Sequence, residues 1–388
     1  MENTQDQAYL TIKNLELVSF RNYSKLHLSN IQNLSIFVGQ NAVGKTSIIE
    51  AIQLMTELKS FRATSADQLI QWGKDNSVVK MQVSDGSRFI EEELHIQEGK
   101  RKYYLNQKSK KIQDLKGFLP AVVFTPDDLN LIKGSNSKRR DSIDSLGVQL
   151  SKNFYVVRSD YQKLIKQKNQ ALKDGISSSV IESINEVLAK VGAQYIHHRL
   201  TLLDIFVPYL ESFYSSISNE KEKLQLRYEP SFSEEVFSSW PCSALVNKDE
   251  IQEKLFTSLI AVLPDEIDSK RSKVGPHADK LNFNISLDSD TFNNAEYYAS
   301  QGQQRSIVLA FKMAELQTIQ NRLHQRPVLL LDDVMSELDE KRRLQFMELI
   351  GEDIQTFITT TNLSYFSDDI IKGARIYNLP LENNNEAI

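Results

Sequence analysis

Residues Gly39 to Thr46 read GQNAVGKT, a match to the phosphate-binding pattern G-x-x-x-x-G-K-[ST]. The pattern needs a strand before it and a helix after it. Leu34-Ser35-Ile36-Phe37-Val38 is a short apolar run of strand type, and Ser47 to Met55 is apolar at helical spacing. In that setting backbone N–H groups of the loop and of the helix start point at phosphate oxygens. Gly39, Gln40, Asn41, Ala42, Val43, Gly44, Lys45, Thr46 and Ser47 are therefore candidates to bind the triphosphate of a nucleotide. Lys45 reaches the β and γ phosphates as a point charge, and the Thr46 hydroxyl is placed for Mg²⁺.

A phosphate loop also needs an acid for its metal and its water. Val328-Leu329-Leu330-Leu331-Asp332-Asp333 is an apolar strand ending in two carboxylates. At the carboxyl edge of a sheet these sit where the loop opens. Asp332 would hold the metal and Asp333 would polarise the attacking water, so Asp333 and Lys45 are the expected catalytic pair. Ser300-Gln301-Gly302-Gln303 opens a further helix, whose N-terminus is a second anion site. A chain with one phosphate loop needs one such site for its own nucleotide. The second would serve another copy, unless Ser300 is simply a helix cap.

The elements that must position these groups follow from periodicity. Residues 12–20, 34–38, 78–83, 89–97, 102–105 and 121–124 read as strands, with Asp85-Gly86 and Glu98-Gly99-Lys100 as turns. Residues 154–172 and 180–206 carry one apolar face each and predict two long antiparallel helices joined at Lys173-Asp174-Gly175. A helix over 303–321, a strand over 328–331, a helix over 339–350 and a strand over 356–360 complete an alternating pattern, which favours a sheet of parallel character. Residues 220–270 carry no clear period.

The chain has 388 residues, a net charge of −5 and one cysteine, Cys242. A single cysteine excludes an internal disulfide framework. With no apolar run of membrane length and a polar start, MENTQDQAYL, this predicts a cytoplasmic protein without a membrane span. The net charge argues against a protein coated in nucleic acid. Between Lys100 and Arg140, however, eleven Lys/Arg face only Asp114, Asp127 and Asp128. Lys108, Lys110, Lys111, Lys138, Arg139 and Arg140 are thus candidates for a DNA phosphate surface, or simply solvated loop residues.

Taken together, these motifs resemble the RecF family of ABC-type ATPases. The likeness is carried by Phe20-Arg21-Asn22-Tyr23 ahead of the loop and by the run from Pro126-Asp127 through Lys133-Gly134-Ser135 to Arg139-Arg140 and Asp144. Gly275-Pro276-His277, Ser300 to Arg305, and Asp332 to Asp339 complete it. Ala42, Asn136, Ser142 and Ala278 depart from the usual residues. The resemblance implies an α/β fold: an ABC-type head with a mixed central sheet, an antiparallel β subdomain and an inserted helical subdomain. On this chain that means a head from 10–125 and 270–380, an insert over 126–269, and flexible tails at 1–9 and 381–388. It also implies a DNA-stimulated, weak ATPase that dimerises head to tail on ATP and Mg²⁺. Arg21 and Asn22 would touch the nucleotide. Ser300, Gln301, Gly302 and Gln303 of the other copy would close over it. Ser336 and Asp339 would line the dimer interface, and Arg62 would be a further basic contact to DNA. The implied partners are gapped, single-stranded and duplex DNA, RecR, RecO and the RecA pathway. An SMC-like ATPase of an anti-phage or other DNA-processing complex would share the head motifs.

Overall fold

The computed structural model describes residues 9–218, 222–286, 291–351 and 353–380. The expected tails at 1–9 and 381–388 lie outside them, Tyr9 excepted. The chain divides into two compact units, Met1–Asp128 with Ile319–Ile388, and Leu129–Thr318. Residues 270–318, expected with the head, fall in the second unit, so this unit is larger than the insert expected at 126–269.

Along the first unit come β1 (Thr11–Phe20), β2 (Tyr23–Leu28), β3 (Leu34–Val38), α1 (Lys45–Thr56), β4 (Asn76–Ser84), β5 (Phe89–Gln97), β6 (Lys100–Leu105), β7 (Lys108–Lys110) and β8 (Ala121–Phe124). The second unit holds α2 (Asn136–Leu150), α3 (Lys152–Lys173), α4 (Ser178–Ser218), β9 (Lys223–Glu229), α5 (Lys248–Ala261), α6 (Leu263–Ser269), β10 (Lys280–Ser286) and β11 (Asn293–Asn294). The division at 318/319 falls inside α7 (Gln301–Leu323). The chain closes the first unit with β12 (Val328–Asp332), α8 (Glu340–Ile350), β13 (Thr356–Thr360) and β14 (Arg375–Asn378).

Parallel and antiparallel strands are sorted into separate sheets. One sheet runs β14-β3-β13-β12-β8 and all its pairs are parallel. Its central strands are buried at every position, as strands covered on both faces must be. The other runs β2-β1-β4-β5-β6-β7 and is antiparallel. Its strands alternate buried and half-exposed residues, so one face packs inward. Ile48, Ile52 and Met55 of α1 share one core with Leu15, Val79 and Leu94 of the antiparallel sheet and Leu330 and Phe357 of the parallel sheet. The register aligns Thr359 with Asp332 and Thr360 with Val38. The ends of β3, β12 and β13 therefore meet at one sheet edge.

In the second unit α3 and α4 form the expected hairpin, turning at Gly175 with φ +65°. The helix α2, absent from the sequence reading, precedes it. Arg199 on α4 lies at the centre of a buried charge cluster. It donates to both carboxylate oxygens of Asp144 at 3.0 and 2.9 Å and to the Pro276 carbonyl at 3.0 Å. Tyr195 also donates to Asp144, at 2.6 Å. Asp279 accepts from Tyr228 and, at 2.8 Å, from the Ser231 amide. Gly275 adopts φ +128°, and an added Cβ would overlap the Tyr161 hydroxyl. The Asp144 and Gly275-Pro276-His277 motifs thus hold this unit together.

Candidate functional site

The phosphate loop leaves β3 and enters α1 at the shared sheet edge. Gly44 takes φ +109°, and a Cβ there would run into the Asn22 amide and the Tyr23 hydroxyl, so only glycine fits. Ala42 also sits in the left-handed region, at φ +69°. That conformation costs an L-residue roughly 1–2 kcal/mol, which is why a glycine is the natural occupant of this corner. The buried Lys45 ammonium donates to the carbonyls of Gly39 at 2.7 Å and Gln40 at 2.8 Å, bridging the loop.

Thr46 Oγ1 donates to Asp332 Oδ1 at 2.9 Å, and Thr359 Oγ1 donates to the same oxygen at 2.8 Å. Thr359 also receives the Asp333 amide, at 2.9 Å. Asp333 adopts φ +55° and its Oδ1 is buried without a hydrogen-bond partner. Burial pushes both carboxyls above their ordinary range. Hydrogen bonds from Thr359 and Thr46 oppose this at Asp332. At Asp333 the Lys45 charge opposes it, while Asp332 and Glu337 add to it. A buried acceptor left open beside a lysine and a carboxylate can take a proton from a group brought to it.

These residues border a cavity of about 870 Å³ that also takes in Asn41, Arg62, Thr125, Asp127 and Trp72. Arg62, expected at DNA, lines this cavity, and its charge acts on Asp332. Arg21 also lines it, but much of its guanidinium is already engaged. It forms a two-pronged pair with Glu50 at 2.8 and 2.7 Å and donates to the Gln68 carbonyl at 2.6 Å. It therefore clamps α1 to the 67–70 segment. Asn22 donates to the Val43 carbonyl at 3.3 Å and braces the loop. Glu50 and Thr359 were missed as site residues; their roles arise from pairings across sequence that no local motif reports.

The helix start at Ser300 lies in the second unit. Ser300 Oγ accepts from the Gln303 amide at 3.2 Å, and the Gln303 side chain accepts from the Ser300 amide at 2.7 Å. This reciprocal capping box starts α7 at Gln301 and leaves Ser300 and Gln301 exposed. Gln303 also donates to Glu222, at 2.9 Å. Ser336 is exposed and donates to the Asp333 carbonyl at 2.8 Å, while Asp339 caps α8 through the Arg342 amide.

The basic run is split between the two units. Lys108 and Lys111 are exposed and Lys110 is half-buried, in and just after β7. Lys138 is exposed on α2. Arg139, expected at a DNA surface, is instead 4% exposed and donates to the Ile132 carbonyl at 2.6 Å, with Glu296 at 3.4 Å, so it is not available to a DNA backbone. Arg140 is half-buried and donates to the Asp279 carbonyl.

The residues fit a magnesium ion that arrives with a nucleotide. The Thr46 hydroxyl and the Asp332 carboxylate supply hard oxygens side by side, the small protein share that Mg²⁺ takes when phosphates and water complete its shell. Among the described residues no group of three or more His, Cys, Asp or Glu could hold a metal. Among them, too, no helix is long and apolar enough to cross a membrane.

A family model described as the RecF/RecN/SMC N terminal domain matches residues 11–379. The DNA replication and repair protein RecF of Lactobacillus gasseri is 33% identical over 374 residues, spanning 95% of this chain and 97% of that protein. Its counterpart in Streptococcus thermophilus is 36% identical over 360 residues, spanning 92% and 94%. A solved structure of the recombination mediator protein RecF-ATP in the RecFOR pathway matches with a TM-score of 0.83 at 28% identity, over 94% of this chain and 96% of that one. An Smc head bound to the C-winged helix domain of ScpA matches at TM-score 0.53 and 16% identity, over 95% and 93%, and shares the fold.

Proposed function

The chain belongs to the RecF family of DNA replication and repair proteins, and from that membership we propose that it is an ATP-driven DNA clamp of recombinational repair. Gly39 to Ser47 bind the triphosphate, and Lys45 moves from the loop carbonyls onto phosphate oxygens. Thr46 and Asp332 would hold Mg²⁺, which would supply positive charge to the phosphates. Asp333 takes the proton of an attacking water. The water oxygen bonds to the γ-phosphorus as the bond to the bridging β–γ oxygen breaks, giving ADP and phosphate.

The reading extends to a second copy. Ser300, Gly302 and Gln303 form a capped helix start, exposed at Ser300, of the kind that grips a phosphate. In the closed pair they meet the γ-phosphate held by the partner, and Ser336 and Asp339 line the interface. A ligand gripped by both copies stabilises the closed state by its differential affinity, and hydrolysis removes it. The closed pair binds gapped, single-stranded and duplex DNA through phosphates, in a sequence-independent and salt-sensitive way, with Lys108, Lys111 and Lys138 as exposed candidates. RecR and RecO are the proposed partners and RecA loading the outcome. The ATPase is weak and is stimulated by DNA, and the protein works in the cytoplasm.

One observation carries this reading. Lys45, Thr46, Asp332 and Asp333 converge on one cavity at the edge of a parallel sheet in a chain that matches a RecF–ATP structure over nearly its full length. A mobility-shift assay on gapped duplex with ATP tests it. The wild type should shift the DNA only with ATP, and Lys45→Met should not. An equal shift by Lys45→Met would refute the ATP dependence.

A further inference from the structure

Trp72 is 99% exposed, an unusual place for the largest apolar side chain. Folding has no use for it there, since the indole gains no burial. Its backbone, by contrast, is held firmly. The Arg21 amide donates to the Leu69 carbonyl at 2.9 Å and the Gln71 amide to the Ser19 carbonyl at 2.8 Å, and Phe20 pairs with Ile70. The Lys74 amide then closes a turn onto the Gln71 carbonyl at 3.0 Å, with Gly73 at φ +79° as a type II turn requires. Trp72 occupies the first central position of that turn. A rigid edge therefore presents a bare aromatic face.

The indole borders the same cavity that the phosphate loop opens into, along with Ile70 and Phe61. Lys45, Arg62 and the two aspartates supply that cavity with charge and Thr46 with a hydroxyl; Phe61, Ile70 and Trp72 supply its apolar surface. A nucleoside triphosphate has the same division, an anionic tail and a flat aromatic base. We propose that Trp72 is the platform on which the base of the bound nucleotide stacks, an inference that rests on reading this cavity as the triphosphate site. Stacking on an aromatic face recognises any base by its π-surface, so Trp72 sets affinity more than base identity.

Calorimetry on the full-length chain with Mg²⁺ tests this, comparing ATP with inorganic tripolyphosphate, which has the tail and no base. Replacing a fully exposed side chain leaves the fold intact. Trp72→Ala should weaken ATP about tenfold, the effect of losing one stacked base, and leave tripolyphosphate unchanged. Trp72→Phe should restore most of the loss. Unchanged ATP affinity in Trp72→Ala, or an equal loss for tripolyphosphate, overturns the proposal. If the wild type binds neither ligand, the triphosphate site itself is wrong, and the proposal falls with it. Tryptophan emission gives a second readout. ATP should alter it in the wild type and not in Trp72→Phe. A response to single-stranded oligonucleotide but not to ATP, or one that appears only as protein concentration rises, assigns the indole to nucleic acid or to a second copy and overturns the proposal.

Discussion

The cluster around Arg199 and the cluster around Asp332 are both buried, charged and marked by sequence motifs, yet they are completed to different degrees. Asp144 accepts from both Arg199 and Tyr195, and Arg199 reaches the Pro276 carbonyl as well. None of these groups is left without a partner. At the phosphate loop Asp332 is held by Thr46 and Thr359, but Asp333 keeps a buried oxygen with no partner and adopts a strained backbone. A closed network specifies a fold; an open one of similar composition is ready for a reactant. The difference lies in unsatisfied capacity rather than in charge or burial.

One chemical change applied to both clusters should break this parallel. Asp144→Asn removes the charge opposite a buried arginine and should cost the second unit about 3–5 kcal/mol, read as an earlier urea unfolding transition. Asp333→Asn should leave stability within about 0.5 kcal/mol, since asparagine tolerates a left-handed backbone. It should slow phosphate release by about 10²-fold or more. Wild-type stability in Asp144→Asn, or wild-type turnover in Asp333→Asn, would erase the distinction.

Glu92 sharpens the comparison from a third side. It points into the core from β5 with 0% exposure, both carboxylate oxygens lack partners, and burial pushes its pKa to about 8. A pKa above the unfolded value means that the folded state binds the proton more tightly. Its contribution to stability is therefore full below about pH 4.5 and is lost as pH rises towards 8, by up to about 1.4 kcal/mol per pH unit. Glu92→Gln keeps the shape without the proton, so urea midpoints between pH 5 and 8.5 should lose this slope. An unchanged slope would place the titration elsewhere.

The phosphate loop and the Asp332-Asp333 strand end were legible in sequence because each is a contiguous pattern with its own flanks. Thr356–Thr360 and Leu34–Val38 were bounded as expected for the same reason, being short β-rich runs. What escaped was relational. Thr359 becomes a positioning residue only because β13 lies beside β12, and Arg21 is engaged only because Glu50 faces it from α1. Arg139 counted as a cation in a basic run, but a charge count does not report burial. α2 was missed because its buried Ile143, Leu146 and Val148 are set among charges and a glycine, which blurs its apolar period. Residues 220–270 mix a strand with two helices too short for a strong signal.

On the proposed function the open cluster is one half of a site, and Ser300 of another copy supplies the rest. The direct measurement is molar mass by light scattering with ATP present, for the wild type and for Ser300→Arg, alongside calorimetry of ATP binding. The wild type should form an ATP-dependent dimer, and Ser300→Arg should remain a monomer that binds ATP with unchanged affinity. A Ser300→Arg protein that still dimerises on ATP, or that no longer binds ATP, would contradict it.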